Sequence, residues 1–116
     1  NVYKIQVIFT PHLGQFKRGM LATVTMRIRE GVDTANIKRS FEHAYATQPL
    51  VRLRDSWPKI DDVANTTFCD IYWKFDEDSR YLIVSSAIDN LLKGAASQAI
   101  QCANLVFNQP TETGLL

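Results

Sequence analysis

Arg18 lies in the stretch Gly14-Gln15-Phe16-Lys17-Arg18-Gly19, a glycine-flanked loop between two apolar, β-rich runs. A guanidinium offers a planar fork of N–H donors that suits a carboxylate or a phosphate. Loops carried on rigid strands often hold binding residues. The plainer use of Arg18 is a surface charge lying over its loop. His12 follows Pro11 in the same loop. A neutral imidazole there can contact a ligand or brace Arg18, and its simpler use is a structural hydrogen bond to backbone. Asn90 follows Asp89 at the head of a helical pattern. Its amide can donate and accept together, though either residue would also serve as a plain helix cap. Lys17 and Lys93 read as solvated charges, with phosphate as the other possible partner of Lys93. His43 falls on the polar side of a helix and reads as solvated.

Other chemistries lack their residues. There is no Walker loop, no Gly-x-Gly-x-x-Gly, no Cys-x-x-Cys and no zinc-ligand spacing. Cys69 and Cys102 are the only cysteines, and neither has a histidine close in sequence. Two cysteines do not make a disulfide framework, so a reducing cytoplasm is expected. A formal net charge of +1 argues against binding nucleic acid or membrane through bulk charge. No apolar run approaches the roughly 20 residues of a bilayer span. Asn1-Val2-Tyr3-Lys4 does not begin a signal peptide, and the missing initiator Met gives the expectation of a chain cut from something longer.

The elements that would position these residues follow from periodicity. Residues 2–10 and 20–28 are rich in β-branched and aromatic residues and read as strands, separated by a loop at 11–19. Gly31 breaks the pattern, and Asp33 or Thr34 caps a helix whose apolar positions are Ile37, Phe41, Ala44 and Tyr45, with Pro49 beyond its end. Short strands are expected at 50–53 and 60–64, separated by a turn at 56–59. Longer strands are expected at 67–75 and 80–87, joined by the acidic hairpin loop 76–79. From Asp89 onward a helix carries Leu92, Ala95, Ala96, Ala99, Cys102, Ala103 and Val106 as an apolar stripe. The order implies an α+β fold, with a largely antiparallel or mixed sheet and helices on one face. With 46% hydrophobic residues and 22% charged, the 116 residues suit one soluble domain or a large piece of one.

Periodicity names no function, but two blocks go further. One is Phe9-Thr10-Pro11-His12-Leu13-Gly14-Gln15-Phe16-Lys17-Arg18-Gly19-Met20; the other runs Asp89-Asn90-Leu91-Leu92-Lys93-Gly94-Ala95-Ala96 and on to Asn104. In this order and at this separation they resemble N-acetyl-γ-glutamyl-phosphate reductase, with Pro-His-Leu-Gly as in its gammaproteobacterial branch. Gln48-Pro49-Leu50-Val51-Arg52-Leu53, Phe68-Cys69-Asp70-Ile71 and Glu112-Thr113-Gly114-Leu115 extend the likeness over essentially the whole chain.

The resemblance implies a fold like the C-terminal domain of glyceraldehyde-3-phosphate dehydrogenase and an NADP-dependent reductase of arginine biosynthesis. In that family a cysteine thiolate attacks the acyl phosphate and expels phosphate. Hydride from NADPH then reduces the thioester, and the semialdehyde leaves, with a histidine moving protons. The resemblance places the nucleophile in a Gly-Cys-Tyr-Pro-Thr-like block and the base in a His-x-His-x-Pro-Glu block. Both are expected before residue 1, as is the nucleotide-binding domain, so no catalytic residue and no metal ligand is expected here. It implies that Arg18 and His12 meet the doubly anionic substrate, and that Asn90 meets the nicotinamide carboxamide. It also implies a homo-oligomer formed through the sheet. Residues 1–88 would form the substrate-side part. Residues 89–116 would pack on the nucleotide-binding domain, with Gly94, Ala95 and Ala96 allowing its close approach. Two other readings stay open: a non-catalytic binding or oligomerisation module of the same ancestry, and an aspartate-semialdehyde dehydrogenase-like enzyme. The 9–19 block argues against the latter.

Overall fold

The computed structural model describes residues 6–116. Three runs rich in β-branched and aromatic residues form eight-residue strands: β1 (Met20–Arg27), β3 (Cys69–Asp76) and β4 (Tyr81–Ile88). A short strand, β2 (Val51–Leu53), completes a sheet ordered β1-β4-β3-β2. β4 pairs antiparallel with β1 and β3, while β2 runs parallel to β3. The sheet is mixed and the fold is α+β, as the element order implies.

Helix α1 (Thr34–Tyr45) is the first helical connection. Asp33 starts it through a capping box: its carboxylate accepts from the Asn36 N–H, and the Asn36 side chain accepts from the Asp33 N–H. The Thr34 hydroxyl donates to Glu77 at 2.6 Å, tying the helix start to the β3–β4 hairpin. Phe41 stacks on Trp73 at 5.5 Å, and Ile37 lines a cavity with Leu82. Trp73 is the register partner of Val84, and Val84 that of Val24, so period-two alternation puts this apolar set on the side facing α1. Burying Ile37 and Leu82, each 5% exposed, contributes about 1.5–3 kcal/mol apiece.

The opposite side of the sheet is covered at one end by the loop 54–68. Trp57 meets Tyr72 edge-on at 4.7 Å, and Val63 is fully buried. Arg52 and its register partner Asp70 fasten β2 to β3, with guanidinium donors 2.5 and 3.0 Å from the two carboxylate oxygens.

After β4 the chain enters a wide turn, Leu92–Ala96, and continues as α2 (Ser97–Val106). The wide turn shows in the i to i−5 bonds Gly94 N–H to Asp89 C=O and Ala96 N–H to Leu91 C=O, both 2.9 Å. The tail folds back on this helix. Asn104 Nδ2 donates to the carbonyls of Thr111 and Thr113, and the Thr67 hydroxyl donates to that of Leu115. Among the described residues no helix is long and apolar enough to cross a membrane.

Several expectations need correction. Of the strand expected at 2–10, residues 1–5 lie outside the described residues, and 6–10 form no strand. Val7, Ile8 and Phe9 are each at least 80% exposed, so that run lacks the neighbour that would bond its backbone and cover its side chains. The strand expected at 60–64 is a 3-10 turn, Ile60–Asp62. Local bonds from Val63 and Ala64 N–H to the Ile60 carbonyl replace sheet pairing, and Asp61 and Asp62 suit a strand poorly.

The apolar stripe of the C-terminal helix lies largely outside this chain's own packing. Ala95, Ala96, Ala99, Cys102, Ala103 and Val106 are exposed. The covered side carries Lys93, Ser97, Gln101 and Asn104 instead, at helical spacing. Gly94 is close to this chain's own sheet: a Cβ there would sit 3.3 Å from Met20 Cε and 3.5 Å from Ile88 Cδ1.

Candidate functional site

The loop before β1 and the start of the C-terminal helix meet through two neighbouring pairs. Gly19 has φ +106, and a Cβ on it would fall 2.3 Å from Ile60 Cγ2, so only glycine fits. That close passage brings the Gly19 N–H to within 2.7 Å of Asn90 Oδ1. One residue earlier, Arg18 Nη2 donates to Asp89 Oδ1 at 2.9 Å across 71 positions of sequence.

Asp89 is fully buried and completely engaged. Its Oδ1 also accepts from the N–H groups of Leu91 and Leu92 at 2.8 and 2.9 Å. Its Oδ2 accepts from the N–H of Asn65, a residue in the left-handed region at φ 63. Burial works against the charged form, but the Arg18 hydrogen bond and the N–H groups of Asn65, Leu92 and Leu91 outweigh it. Together they hold the carboxyl well below the usual carboxylate range. A buried carboxylate stripped of such partners would be strongly destabilising.

Arg18 keeps donors in reserve. Its side chain is 31% exposed, and Nε is buried with no partner among the described residues. A guanidinium has five N–H donors, and the bond to Asp89 uses one. Asn90 is half-committed too. Its carbonyl oxygen holds Gly19, while among the described residues its Nδ2 donates to no partner. The amide can therefore offer its donor side to a ligand, rather than donating and accepting there together.

Arg18 and Asn90 come together at this site, and His12 does not join them. His12 is exposed, and among the described residues it makes no hydrogen bond to Arg18. Lys17 is exposed, as is His43. Lys93 departs from a solvated charge: its ammonium donates to the side chains of Gln98 and Gln101. Burial pushes the Cys69 thiol up; the Lys93 charge opposes this, and Asp70 adds to it. A raised pKa keeps Cys69 a thiol at neutral pH, which does not suit a nucleophile. Among the described residues no cluster of His, Cys, Asp or Glu is placed to hold a metal.

Sequence reasoning assigned Asp89 only a cap and missed its pairing with Arg18. The one available signal was position: Asp89 directly follows the apolar end of β4, where a buried carboxylate requires a cation or several N–H donors.

Residues 1–90 match the family model described as "Semialdehyde dehydrogenase, dimerisation domain". The chain belongs to the semialdehyde dehydrogenase dimerisation-domain family. Among its relatives are proteins named N-acetyl-gamma-glutamyl-phosphate reductase. The one from Pseudoalteromonas atlantica is 58% identical over 96% of this chain and 32% of its own length. That from Alteromonas mediterranea is 60% identical over 95% of this chain and 33% of its own. That from Vibrio parahaemolyticus is 57% identical over 95% of this chain and 33% of its own. The chain thus spans about a third of the length of these relatives.

Proposed function

We propose that this chain is the substrate-side and dimerisation part of an NADP-dependent reductase of arginine biosynthesis. The enzyme would convert N-acetyl-γ-glutamyl phosphate to N-acetylglutamate semialdehyde with release of phosphate. The observation that carries this reading is the junction of Arg18 and Asn90 through Asp89 and Gly19, in a chain 57–60% identical to relatives of that name. Arg18 would hold an anionic group of the substrate with its free N–H donors. Asn90 Nδ2 would donate to the nicotinamide carboxamide oxygen, a fit that its uncommitted amide nitrogen allows. NADPH supplies the hydride when bound. The nucleophilic cysteine and the proton-moving histidine would belong to the rest of the enzyme, which would also leave this chain inactive alone. His12 remains a second substrate contact in this proposal, supplied from the exposed loop.

In the same proposal the exposed stripe of α2 packs on the nucleotide-binding domain, with 1–88 as the substrate-side part and 89–116 as the docking helix and tail. Homo-oligomers form through the sheet side opposite α1, where Leu21 is 52% exposed beside Thr23 and Thr25. A cytoplasmic site suits the two free cysteines. The test is phosphate-dependent NADP reduction with N-acetylglutamate semialdehyde by the full-length enzyme. Arg18→Lys should lower kcat/KM about tenfold, because lysine cannot reproduce the guanidinium fork. Unchanged kcat/KM would return Arg18 to the surface. Leu21→Asp should lower the oligomeric state in sedimentation equilibrium; an unchanged state would move the interface elsewhere.

A further inference from the structure

We infer that Asp89 is a positioning residue for substrate binding: it fixes the direction of the Arg18 guanidinium while the adjacent Asn90 fixes the loop that carries it. The inference rests on the proposed role of Arg18. Arg18 sits on a loop with no regular structure, and a long flexible side chain there loses rotamer entropy when a ligand immobilises it. The contact to Asp89 orders it beforehand. Asp89 is itself immobile, because backbone N–H groups from two separate segments, at Asn65 and at Leu91 and Leu92, hold both of its oxygens.

The charges explain why this pairing does not silence Arg18. A carboxylate beside a guanidinium would ordinarily cancel its attraction for an anion. Here Asp89 lies where the C-terminal helix begins, and N–H groups at a helix start offset negative charge. The arginine side chain keeps 31% exposure, and its bond to Asp89 uses one of its five N–H donors. The second pair, Gly19 N–H to Asn90 Oδ1, keeps the loop backbone from sliding. Substrate arginine and cofactor-side amide therefore move as one piece.

The experiment is a double-mutant cycle in the full-length enzyme with Arg18→Ala, Asp89→Asn and both. KM for N-acetylglutamate semialdehyde and KM for NADP are measured separately. Asp89→Asn should raise KM for the semialdehyde about tenfold, the worth of one charged hydrogen bond, and leave KM for NADP unchanged. On the Arg18→Ala background it should add nothing further to that KM. If Arg18→Ala alone leaves KM unchanged, the reading of Arg18 fails and this inference falls with it. If Arg18→Ala raises KM and Asp89→Asn adds its full effect on top, Asp89 is merely structural: the inference is overturned and the reading of Arg18 stands. Should Asp89→Asn fail to fold, guanidinium rescue of folded Arg18→Ala decides. Saturable rescue at millimolar concentration supports a guanidinium seat formed by Asp89, and no rescue overturns it.

Discussion

The two helices of this chain treat their apolar residues in opposite ways. α1 turns Ile37 and Phe41 onto the sheet and is capped within its own sequence. α2 turns Ser97, Gln101 and Asn104 inward and leaves Ala99, Cys102, Ala103 and Val106 in solvent. Both sequences are amphipathic by the same criterion. The difference teaches that an apolar stripe marks a surface needing a partner without saying where that partner lies. α1 finds its partner in this chain. α2 is held by its first turn, through Asp89, and by its tail, and keeps its stripe free.

The sharpest contrast should appear at Ile37, 5% exposed. Ile37→Ala should destabilise the protein by about 3 kcal/mol, measured by urea unfolding, through lost burial and a residual cavity. A loss below about 1 kcal/mol would mean that α1 is not packed as described. Gly19→Ala should come next, at about 2 kcal/mol, from the positive φ and the clash with Ile60. It should loosen the C-terminal helix while sparing α1, and uniform loss of both would break the contrast. Acid should act on the same end. The folded pKa of Asp89 lies below its ordinary 3.8. Its contribution to stability is therefore complete above about pH 4 and declines as pH falls below that. The urea midpoint, followed from pH 7 to pH 2, should fall less steeply below pH 4 in Asp89→Asn than in the parent; parallel curves would remove Asp89 from the account.

The smallest effects belong to the exposed stripe. Val106→Ala, at a position 76% exposed, should change stability by less than about 0.5 kcal/mol. A thiol reagent at pH 8 should modify Cys102 at least about tenfold faster than Cys69, whose thiol is half-buried and raised in pKa. Equal rates would place both thiols in the same environment. In a longer chain that includes the segments beyond this one, protection of Cys102 would locate the partner of the stripe.

Much of the fold was legible because its signals are local. The Asp33 cap, the three long strands and the acidic hairpin each follow from neighbouring residues. β2 was legible as a strand, but its parallel pairing with β3 depends on the crossover at 54–68, which spacing does not fix. Residues 6–10 and 60–64 have strand-like composition without a sheet neighbour, so composition misled. At the site, Arg18 and Asn90 were legible as residue types, but their meeting was not. It depends on Asp89 and on the close passage of Gly19 by Ile60, and no periodic pattern spans 71 positions. His12 was singled out by its loop and by the block around it, and among the described residues it makes no hydrogen bond to Arg18.

The Asp89 junction also sets an order of events. It joins residues 71 and 24 positions apart, whereas the β3–β4 hairpin and α1 close over short stretches of chain. Contacts with short closures form early, and long closures follow once the intervening chain is ordered. The amides of Gly19, Asn65, Leu91 and Leu92 all end on Asp89 or Asn90, so one opening releases all four. They should exchange together as a single cooperative unit, distinct from the α1–sheet unit. The Arg18–Asp89 contact should therefore form late, together with the pairing of β1 to β4.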